Sequence, residues 1–263
     1  MSRLLLALVL FAFTFPAVAQ SVSTDDPWCT DREDAYEDVR ACEVRTFTLA
    51  PRDVLRADAG QNGGISVEAW DRDEVQLRAR VQAKGGSSTE ARRLVEQTEI
   101  DTDGTIRARV PDGRRDAWAS VSFKLMVPRA SNLDLSTRNG GIGIDGVTGE
   151  IRFAAQNGGV GLRAVGGDVR GRTTNGGLKV VLAGDRWDGD RLDVETTNGG
   201  VKLVVPAGYS ADLETGTTNG GLRVDFPVMV EGEVGRRLRT RLGDGGPPVR
   251  AITTNGGVVV ERG

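Results

Sequence analysis

The chain of 263 residues contains no histidine and only two cysteines. The absence of histidine excludes Ser-His-Asp and Cys-His catalysis, histidine-ligated metals and an imidazole general base. The formal net charge of −3 at pH 7 excludes the strongly basic surface that is typical of nucleic-acid-binding domains. No apolar run after the N-terminal one approaches the length of a membrane-spanning helix. The function classes that remain are a binding or structural protein, or an enzyme that relies on carboxylates and arginines.

The N terminus has the pattern of an export signal. A basic start is followed by an apolar run from Leu4 to Phe15, and then by Ala17-Val18-Ala19, an Ala-x-Ala cleavage signal. The run is shorter than the roughly 20 residues that a bilayer-spanning helix needs. We therefore expect cleavage after Ala19 and a soluble mature protein that is periplasmic or secreted.

Export favours a disulfide between the two cysteines, Cys29 and Cys42. This bond would close a loop of about 14 residues and contribute about 3 kcal/mol in the chain-entropy model. A redox pair more often has Cys-x-x-Cys spacing, so we interpret the bond as structural. The segment between the cysteines, from Asp31 to Val39, is also compatible with a short helix.

Asn-Gly-Gly triplets dominate the rest of the sequence. They begin at Asn62, Asn139, Asn157, Asn175, Asn198, Asn219 and Asn255. The third and fifth residues after each asparagine are aliphatic in every copy, which is the period-two pattern of a strand with one buried face. From Leu133 onward a second strand precedes each triplet. Such repetition indicates one supersecondary unit stacked on copies of itself.

Two all-β architectures satisfy this pattern. Asn-Gly between alternating strands is typical of a two-residue hairpin, which would give an antiparallel meander or a sandwich of hairpins. Alternatively, each repeat is one coil of a β-solenoid. Thr-Thr pairs precede four of the triplets, and stacked coils favour identical neighbours because Asn and Thr side chains can hydrogen-bond along a column. We favour the solenoid, in which Leu203 would lie between Val180 and Val224.

The sequence predicts four parts and one helix. The helix is expected at about 88–98, since an N-cap cluster that begins at Ser87 precedes apolar residues at helical spacing. The parts are a signal peptide (1–19), a polar segment with the disulfide (20–46), N-terminal strands with the helix and the first repeat at 62–67 (47–130), and the solenoid repeats (131–263). Insertions at 184–190 and 228–248 are interpreted as loops, and the second is long enough to cap the open end of the array.

Lys179, Lys202 and Arg223 occupy the same outward position in three successive repeats, four residues after the asparagine. On a solenoid they would form a column of like charges, which repel one another unless they meet anions. This column is the candidate binding face for an acidic envelope glycan or another envelope protein.

Two groups of aspartates are candidates for cation binding or acid–base chemistry. Asp185, Asp188 and Asp190 lie in the first insertion, and Asp101 and Asp103 lie in a turn of the N-terminal part. Neither group matches an EF-hand loop or the Gly-Gly-x-Gly-x-Asp calcium repeat. Solvated aspartate in glycine-rich turns is the simpler interpretation, so we predict no metal and no cofactor. The alternative is a polysaccharide lyase or hydrolase on a β-helix scaffold that uses Asp and Arg residues.

Four sequence features form a recognisable set. They are Cys42-Glu43-Val44-Arg45-x-Phe47, the Thr-Thr-Asn-Gly-Gly-φ-x-φ repeats (φ, aliphatic), the Val-Pro-Ala-Gly-Tyr-Ser-Ala-Asp segment at 205–212, and the glycine-rich stretch before the final repeat. Together they resemble the bacterial β-strand-repeat family called putative adhesins, a domain of unknown function. The resemblance covers essentially the whole chain after residue 19, and it implies a right-handed β-helix-like fold and an envelope location.

From this resemblance we expect a non-enzymatic scaffold or binding module of the cell envelope. The chain ends at Gly263, three residues after the last strand position, without a translocator barrel, a sorting signal or a membrane anchor. We therefore expect it in the periplasm or secreted, rather than displayed on the cell surface.

Overall fold

The computed structural model describes residues 20–30, 40–226 and 235–263. The predicted signal peptide, the helix predicted from Asp31 to Val39 and part of the second insertion lie outside these residues. The described part of the protein is all-β, with two large mixed sheets and two helices. None of the helices in this part is both long enough and apolar enough to cross a membrane.

The helices are α1 (Pro27–Thr30) and α2 (Ser88–Glu96). The strands are β1 (Gln20–Ser23), β2 (Arg40–Leu49), β3 (Leu55–Asp58), β4 (Ile65–Trp70), β5 (Val75–Lys84), β6 (Glu99–Asp101), β7 (Thr105–Arg109), β8 (Trp118–Pro128), β9 (Leu133–Asn139), β10 (Ile142–Asp145), β11 (Thr148–Asn157), β12 (Val160–Arg163), β13 (Gly166–Asn175), β14 (Leu178–Val181), β15 (Arg191–Asn198), β16 (Val201–Val205), β17 (Ala211–Asn219), β18 (Leu222–Val224), β19 (Arg237–Leu242), β20 (Pro248–Asn255) and β21 (Val258–Arg262). Sheet A has the spatial order β1-β2-β5-β8-β4-β10-β12-β14-β16-β21-β18, and sheet B has the order β19-β17-β20-β15-β13-β11-β9-β3-β7-β6.

From β9 onward, each repeat contributes one strand to sheet B and then, after its triplet, one strand to sheet A. Equivalent strands of neighbouring repeats pair in parallel and in register, as β11 does with β9 and β13. Equivalent side chains therefore lie side by side, and Val180 is next to Leu203. The aliphatic residues of both strands are buried in one hydrophobic core, which confirms the predicted facing.

The repeats do not follow chain order at the C-terminal end. Strand β20 pairs with both β15 and β17, and β21 pairs with both β16 and β18. The last repeat therefore lies between the two repeats that precede it in sequence. Leu203 has Val180 on one side and Val260 on the other. The expected contact between Leu203 and Val224 is therefore wrong, because the strand that carries Val260 lies between them.

The second insertion makes this order possible. It separates β18 from β20 by more than 20 residues, which lets the chain return to the gap between two repeats. On the way it forms β19, which pairs antiparallel with β17 at the edge of sheet B. The insertion was predicted to be a loop, but part of it is a strand that covers one sheet edge.

The asparagines of the triplets form a hydrogen-bonded ladder. Each side-chain amide Nδ2 donates to the Oδ1 of its neighbour over 2.7 to 3.1 Å, in the order Asn62, Asn139, Asn157, Asn175, Asn198, Asn255, Asn219. The threonines do not bond to one another as predicted. The hydroxyl of Thr173, for example, donates to the carbonyl oxygen of Gly158 at 2.8 Å. The buried first threonine of each pair thus bonds to backbone, because its hydroxyl needs an acceptor.

The two glycines of a triplet have different roles. A Cβ at Gly158 would lie 2.0 Å from the carbonyl oxygen of Gly140, and equivalent contacts occur at the first glycine of every triplet. A Cβ at Gly159 would lie 3.5 Å from the carbonyl oxygen of Gly177, which is ordinary van der Waals contact. The close approach of backbones therefore requires the first glycine. The second has room for a Cβ at Gly159, Gly221 and Gly257, but the space is tighter, 3.0 to 3.3 Å from a backbone oxygen, at Gly64, Gly141 and Gly200.

The N-terminal part closes one end of the core. Helix α2 packs on β2, β5 and β8, and Leu94 and Val95 join the core. The Ser87 hydroxyl caps it by accepting a bond from the Glu90 backbone N–H, which confirms the predicted helix start. The buried Arg45 guanidinium donates to the Val95 and Thr98 carbonyls at the other end of the helix. The predicted disulfide between the cysteines is present, with 5.8 Å between the Cα atoms.

Candidate binding face

The predicted column of cations on the outer face of sheet A is interrupted. Lys179 and Lys202 are direct neighbours on β14 and β16. Val259 of the inserted last repeat then stands between Lys202 and Arg223. The three cations are therefore not one continuous column, because spatial order differs from chain order at this end.

Two of these three cations are already paired. The Lys202 ammonium lies 2.7 Å from a carboxylate oxygen of Glu261, and the Arg223 Nε lies 2.6 Å from that of Asp225. Lys179 alone has no ion-pair partner among the described residues. The charge available to a ligand on this face is thus smaller than the sequence indicates.

The aspartates of the first insertion are exposed, and a tryptophan holds their loop in place. Trp187 is buried, and its Nε1 donates to the Gly167 carbonyl oxygen at 3.0 Å. Asp185, Asp188 and Asp190 point to solvent around it. Among the described residues, no three acidic or cysteine side chains converge in a way that could hold a metal ion.

The second aspartate group is bound to arginines. The Asp101 carboxylate accepts a bond from the Asp103 backbone N–H at 3.0 Å and lies 3.2 and 3.3 Å from Arg107 and Arg109. The backbone bond, followed by the bonds and charges of the arginines, lowers the pKa of Asp101. A general acid needs a raised pKa instead, so this carboxyl is suited to ion pairing.

The outer face of sheet B carries a charged row that the sequence analysis missed. It consists of the residues five positions before each asparagine from Asn139 onward, in the spatial order Glu214, Arg250, Asp193, Arg170, Arg152, Asp134. A charged residue at this position in six of the seven repeats, all but the first, was a signal available in the sequence. The row became visible only with the parallel register, which places these side chains next to one another.

Ion pairs neutralise most of this row. Arg250 pairs with Asp193, Arg152 pairs with Glu150, and Arg170 lies 2.6 Å from Asp168. The side-chain bond from Arg170 lowers the pKa of Asp168, so this carboxylate also stays ionised at neutral pH. Most of the described carboxylates of this face are therefore held by arginines rather than poised for proton transfer, and the exception is Asp58 on β3, which accepts a bond from the Gly60 backbone N–H at 2.9 Å.

Beside the paired row lies a shallow depression of about 430 Å³. Its lining includes Asp58 on β3 together with Ser136, Ala154, Gln156, Thr174 and the two arginines Arg138 and Arg172. A second depression, of about 450 Å³, adjoins it and shares Ser136, Ala154 and Arg172 with it. The two form one polar surface along β9, β11 and β13.

Arg138 and Arg172 are exposed, and within the described part of the chain neither guanidinium has a hydrogen-bond or ion-pair partner. Glu195 faces Arg172 in register on the next strand, but its carboxylate is directed to Arg250, at 3.8 Å. The depression thus carries two guanidiniums without partners and one carboxylate, that of Asp58, which has no arginine partner among the described residues, so its charge is net positive.

Comparison with known proteins finds similarity at the level of solved structures. One is a "putative cell adhesion protein" from Clostridium sporogenes, with a TM-score of 0.43, 11% identity, and coverage of 94% of this chain and 100% of that chain. A "putative adhesin" from Bacteroides fragilis has a TM-score of 0.29 and 12% identity, and a "putative lipid binding protein" from Parabacteroides distasonis has a TM-score of 0.31 and 10% identity. For both, 83% of this chain and 96% of the other chain are covered.

Two of these names agree with the family that the repeats resemble, the putative adhesins. No protein-family profile matches the chain. None of the curated proteins compared with it matches either.

Proposed function

We propose that this protein is a non-enzymatic binding module of the cell envelope, exported to the periplasm or secreted, and that its repeats form a β-solenoid. The binding surface in this proposal is the outer face of sheet B, not a cleft. The proposal retains the four-part organisation predicted from the sequence, with the disulfide-bonded segment and the N-terminal strands in front of the repeats.

The parallel pairing of equivalent strands supports the solenoid. In a meander, consecutive strands are joined by hairpins and pair antiparallel. Here the strands before and after each triplet belong to different sheets, and each pairs with its equivalent in the neighbouring repeat. The asparagine ladder, which runs across all seven triplets, supports the same arrangement.

One observation carries the binding role. On the outer face of sheet B most carboxylates are in ion pairs, whereas Arg138 and Arg172 are left without partners beside a shallow polar depression whose lining contains one carboxylate, that of Asp58. Glycoside cleavage would need two carboxyl groups on either side of a bound sugar, one of them with a raised pKa. A depression that offers two free guanidinium groups and a single carboxyl group, that of Asp58, is suited to holding an acidic partner, not to cleaving it.

The disulfide supports the proposed compartment. Cys29 and Cys42 are bonded, and such bonds persist in the periplasm and outside the cell but are rare in the cytosol.

The proposal is tested with protein purified from the periplasm after cleavage of the signal peptide. Acidic and neutral polysaccharides and an acidic polypeptide are immobilised, and retention is measured at low and high salt together with the release of soluble sugar. We expect retention on acidic polymers that weakens with salt, since exposed charge contacts are screened over about 8 Å at physiological ionic strength. The proposal would be contradicted, and an enzyme favoured, if soluble sugar were released and this release were abolished by the changes Asp185→Asn, Asp188→Asn and Asp190→Asn.

A further inference from the structure

We infer that Arg138 and Arg172 form a binding site for an anionic polysaccharide, with a carboxylate or sulfate group of the chain bound to each guanidinium. This inference rests on the proposed function, and it names the ligand class and the residues that bind it. It follows from the position of the two arginines, their lack of partners and the chemistry of the surface between them.

The two arginines lie at two separate points of the same outward face of sheet B. They lie on β9 and β13, with β11 between them, and are offset by two residues along the strands, so their backbones are about 12 Å apart. Both side chains point outward, at positions one and three residues before their asparagines. An extended polymer with regularly spaced charges can therefore contact both guanidiniums at once, and two linked contacts strengthen each other.

Electrostatics makes these two positions different from the rest of the face. Arg152 and Arg170 have carboxylates as close partners, and a ligand would have to displace them. Arg138 and Arg172 require no such displacement. A planar guanidinium binds a carboxylate or sulfate through two parallel hydrogen bonds, which gives strength and orientation together.

The surface between the arginines favours a saccharide over a peptide. Ser136, Gln156 and Thr174 offer groups that both donate and accept hydrogen bonds, which matches a chain of hydroxyls. The exposed apolar contribution is the methyl group of Ala154, and no aromatic side chain is among the residues that line this depression. Protein interfaces depend on buried aromatic or large anchors, for which this shallow surface has no pocket.

A peptide could also bind by adding a strand to a sheet edge, but that mode does not apply here. Strands β9, β11 and β13 are interior strands of sheet B, so their backbone groups are paired on both sides. A ligand at this site must therefore be recognised through side chains alone.

The experiment compares two double variants of the exported protein. Arg138→Gln with Arg172→Gln removes the proposed site, and Arg163→Gln with Lys124→Gln removes the same charge from the outer face of sheet A. Binding is measured on polygalacturonate, dextran sulfate, neutral dextran and poly-glutamate at low and high salt. Circular dichroism and thermal melting verify that both variants fold, which is expected because none of the four side chains is in the core.

The parent is expected to bind polygalacturonate and dextran sulfate, and not neutral dextran. The Arg138/Arg172 variant should lose about tenfold or more in affinity, which is the loss of one charge-assisted contact or more, while the Arg163/Lys124 variant stays within about twofold of the parent. Equal weakening by the two variants would show a non-specific charge effect and overturn the site.

The remaining outcomes separate the site from the proposed function. Unchanged binding in the Arg138/Arg172 variant would overturn the site but leave the binding module supported. Binding to poly-glutamate without binding to either acidic polysaccharide would overturn the saccharide inference and indicate an acidic protein partner. Failure of the parent to bind any acidic polymer at low salt would overturn both.

Discussion

The repeats from Leu133 to Val205 and the repeats after Ala211 share one sequence pattern but are assembled differently. In the first region, neighbours in sequence are neighbours in the sheets, from β9 to β16. In the second region, the last repeat is inserted between two earlier ones. The triplet and the aliphatic positions therefore specify which residues stack in register, but they do not specify which repeat stacks on which.

The difference has a physical origin. Every repeat presents the same asparagine, the same glycines and aliphatic residues at the same two positions, so any two repeats can pair with the same register. In the first region the connections are short, and only adjacent repeats can meet. The connection from β18 to β20 is long, so loop length permits a second solution, and the loop-closure entropy rises only slowly with length.

The largest expected effect comes from removing the inserted repeat. A chain that ends at Pro247 lacks β20 and β21, which leaves β17 and β18 without their parallel partners. The buried side chains Val249, Val258 and Val260 are lost with it, and each contributes on the order of 1.5 to 3 kcal/mol. Hydrogen exchange should show the amides of β18, whose only partner strand is β21, unprotected and those of β11 still protected.

One hydrogen-exchange result for the truncated chain would contradict this prediction. If β18 amides stayed protected, β18 would be pairing directly with β16, and chain order would be a competent alternative assembly. The position of the last repeat between two earlier repeats would then be the preferred one of two possible arrangements. It would not be required for the C-terminal end to fold.

A second prediction compares the loss of stability caused by alanine at each of the two glycines of one triplet in the regular region. Gly158→Ala places a Cβ 2.0 Å from a backbone oxygen, so two repeats must move apart, and we expect a loss of about 3 kcal/mol or more in the free energy of unfolding. Gly159→Ala is expected to change it by less than about 0.5 kcal/mol, because the nearest atom is 3.5 Å away. Chemical denaturation of both variants measures the difference, and similar losses would disprove the steric assignment.

Sequence reasoning was successful where local chemistry determines the structure. The facing of the strands, the helix that begins after Ser87, the disulfide and the asparagine ladder each follow from residues whose partners are fixed by spacing or by compartment. It failed where the result depends on long-range order. Val259 between Lys202 and Arg223 could not be foreseen, because nothing in a repeat identifies its neighbour.

The candidate site illustrates a different limit. Arg138 and Arg172 stand at different positions in their repeats, so no column in the sequence connects them. Their role depends on which neighbouring arginines are neutralised, and that depends on side-chain geometry such as the 2.6 Å pair between Arg170 and Asp168. The pattern of charges was visible in the sequence, but the pattern of partners was not.

A third prediction compares one position in the two regions. Leu178 and Leu222 both stand three residues after their asparagine, but Leu178 is 2% exposed between two strands, whereas Leu222 lies on the edge strand β18 and is half-buried. Leu178→Ala should cost roughly 2 to 5 kcal/mol, because a cavity between stacked repeats cannot collapse. Leu222→Ala should cost less than half as much. Equal losses, measured by urea denaturation, would indicate that the C-terminal end is as tightly packed as the regular region.

The smallest expected effect concerns the opposite end of the molecule, which is held by a covalent bond instead of an inserted repeat. Cys29→Ser removes the bond to Cys42 and frees the segment that carries β1 and α1, with an expected loss of about 2 to 4 kcal/mol. The strand content should not change, because β2 keeps its ten-residue pairing with β5. Denaturation of the variant beside the parent under reducing conditions measures the effect. The two should then be equally stable, and a variant still weaker than the reduced parent would show that packing of the cysteine, not the bond, stabilises this end.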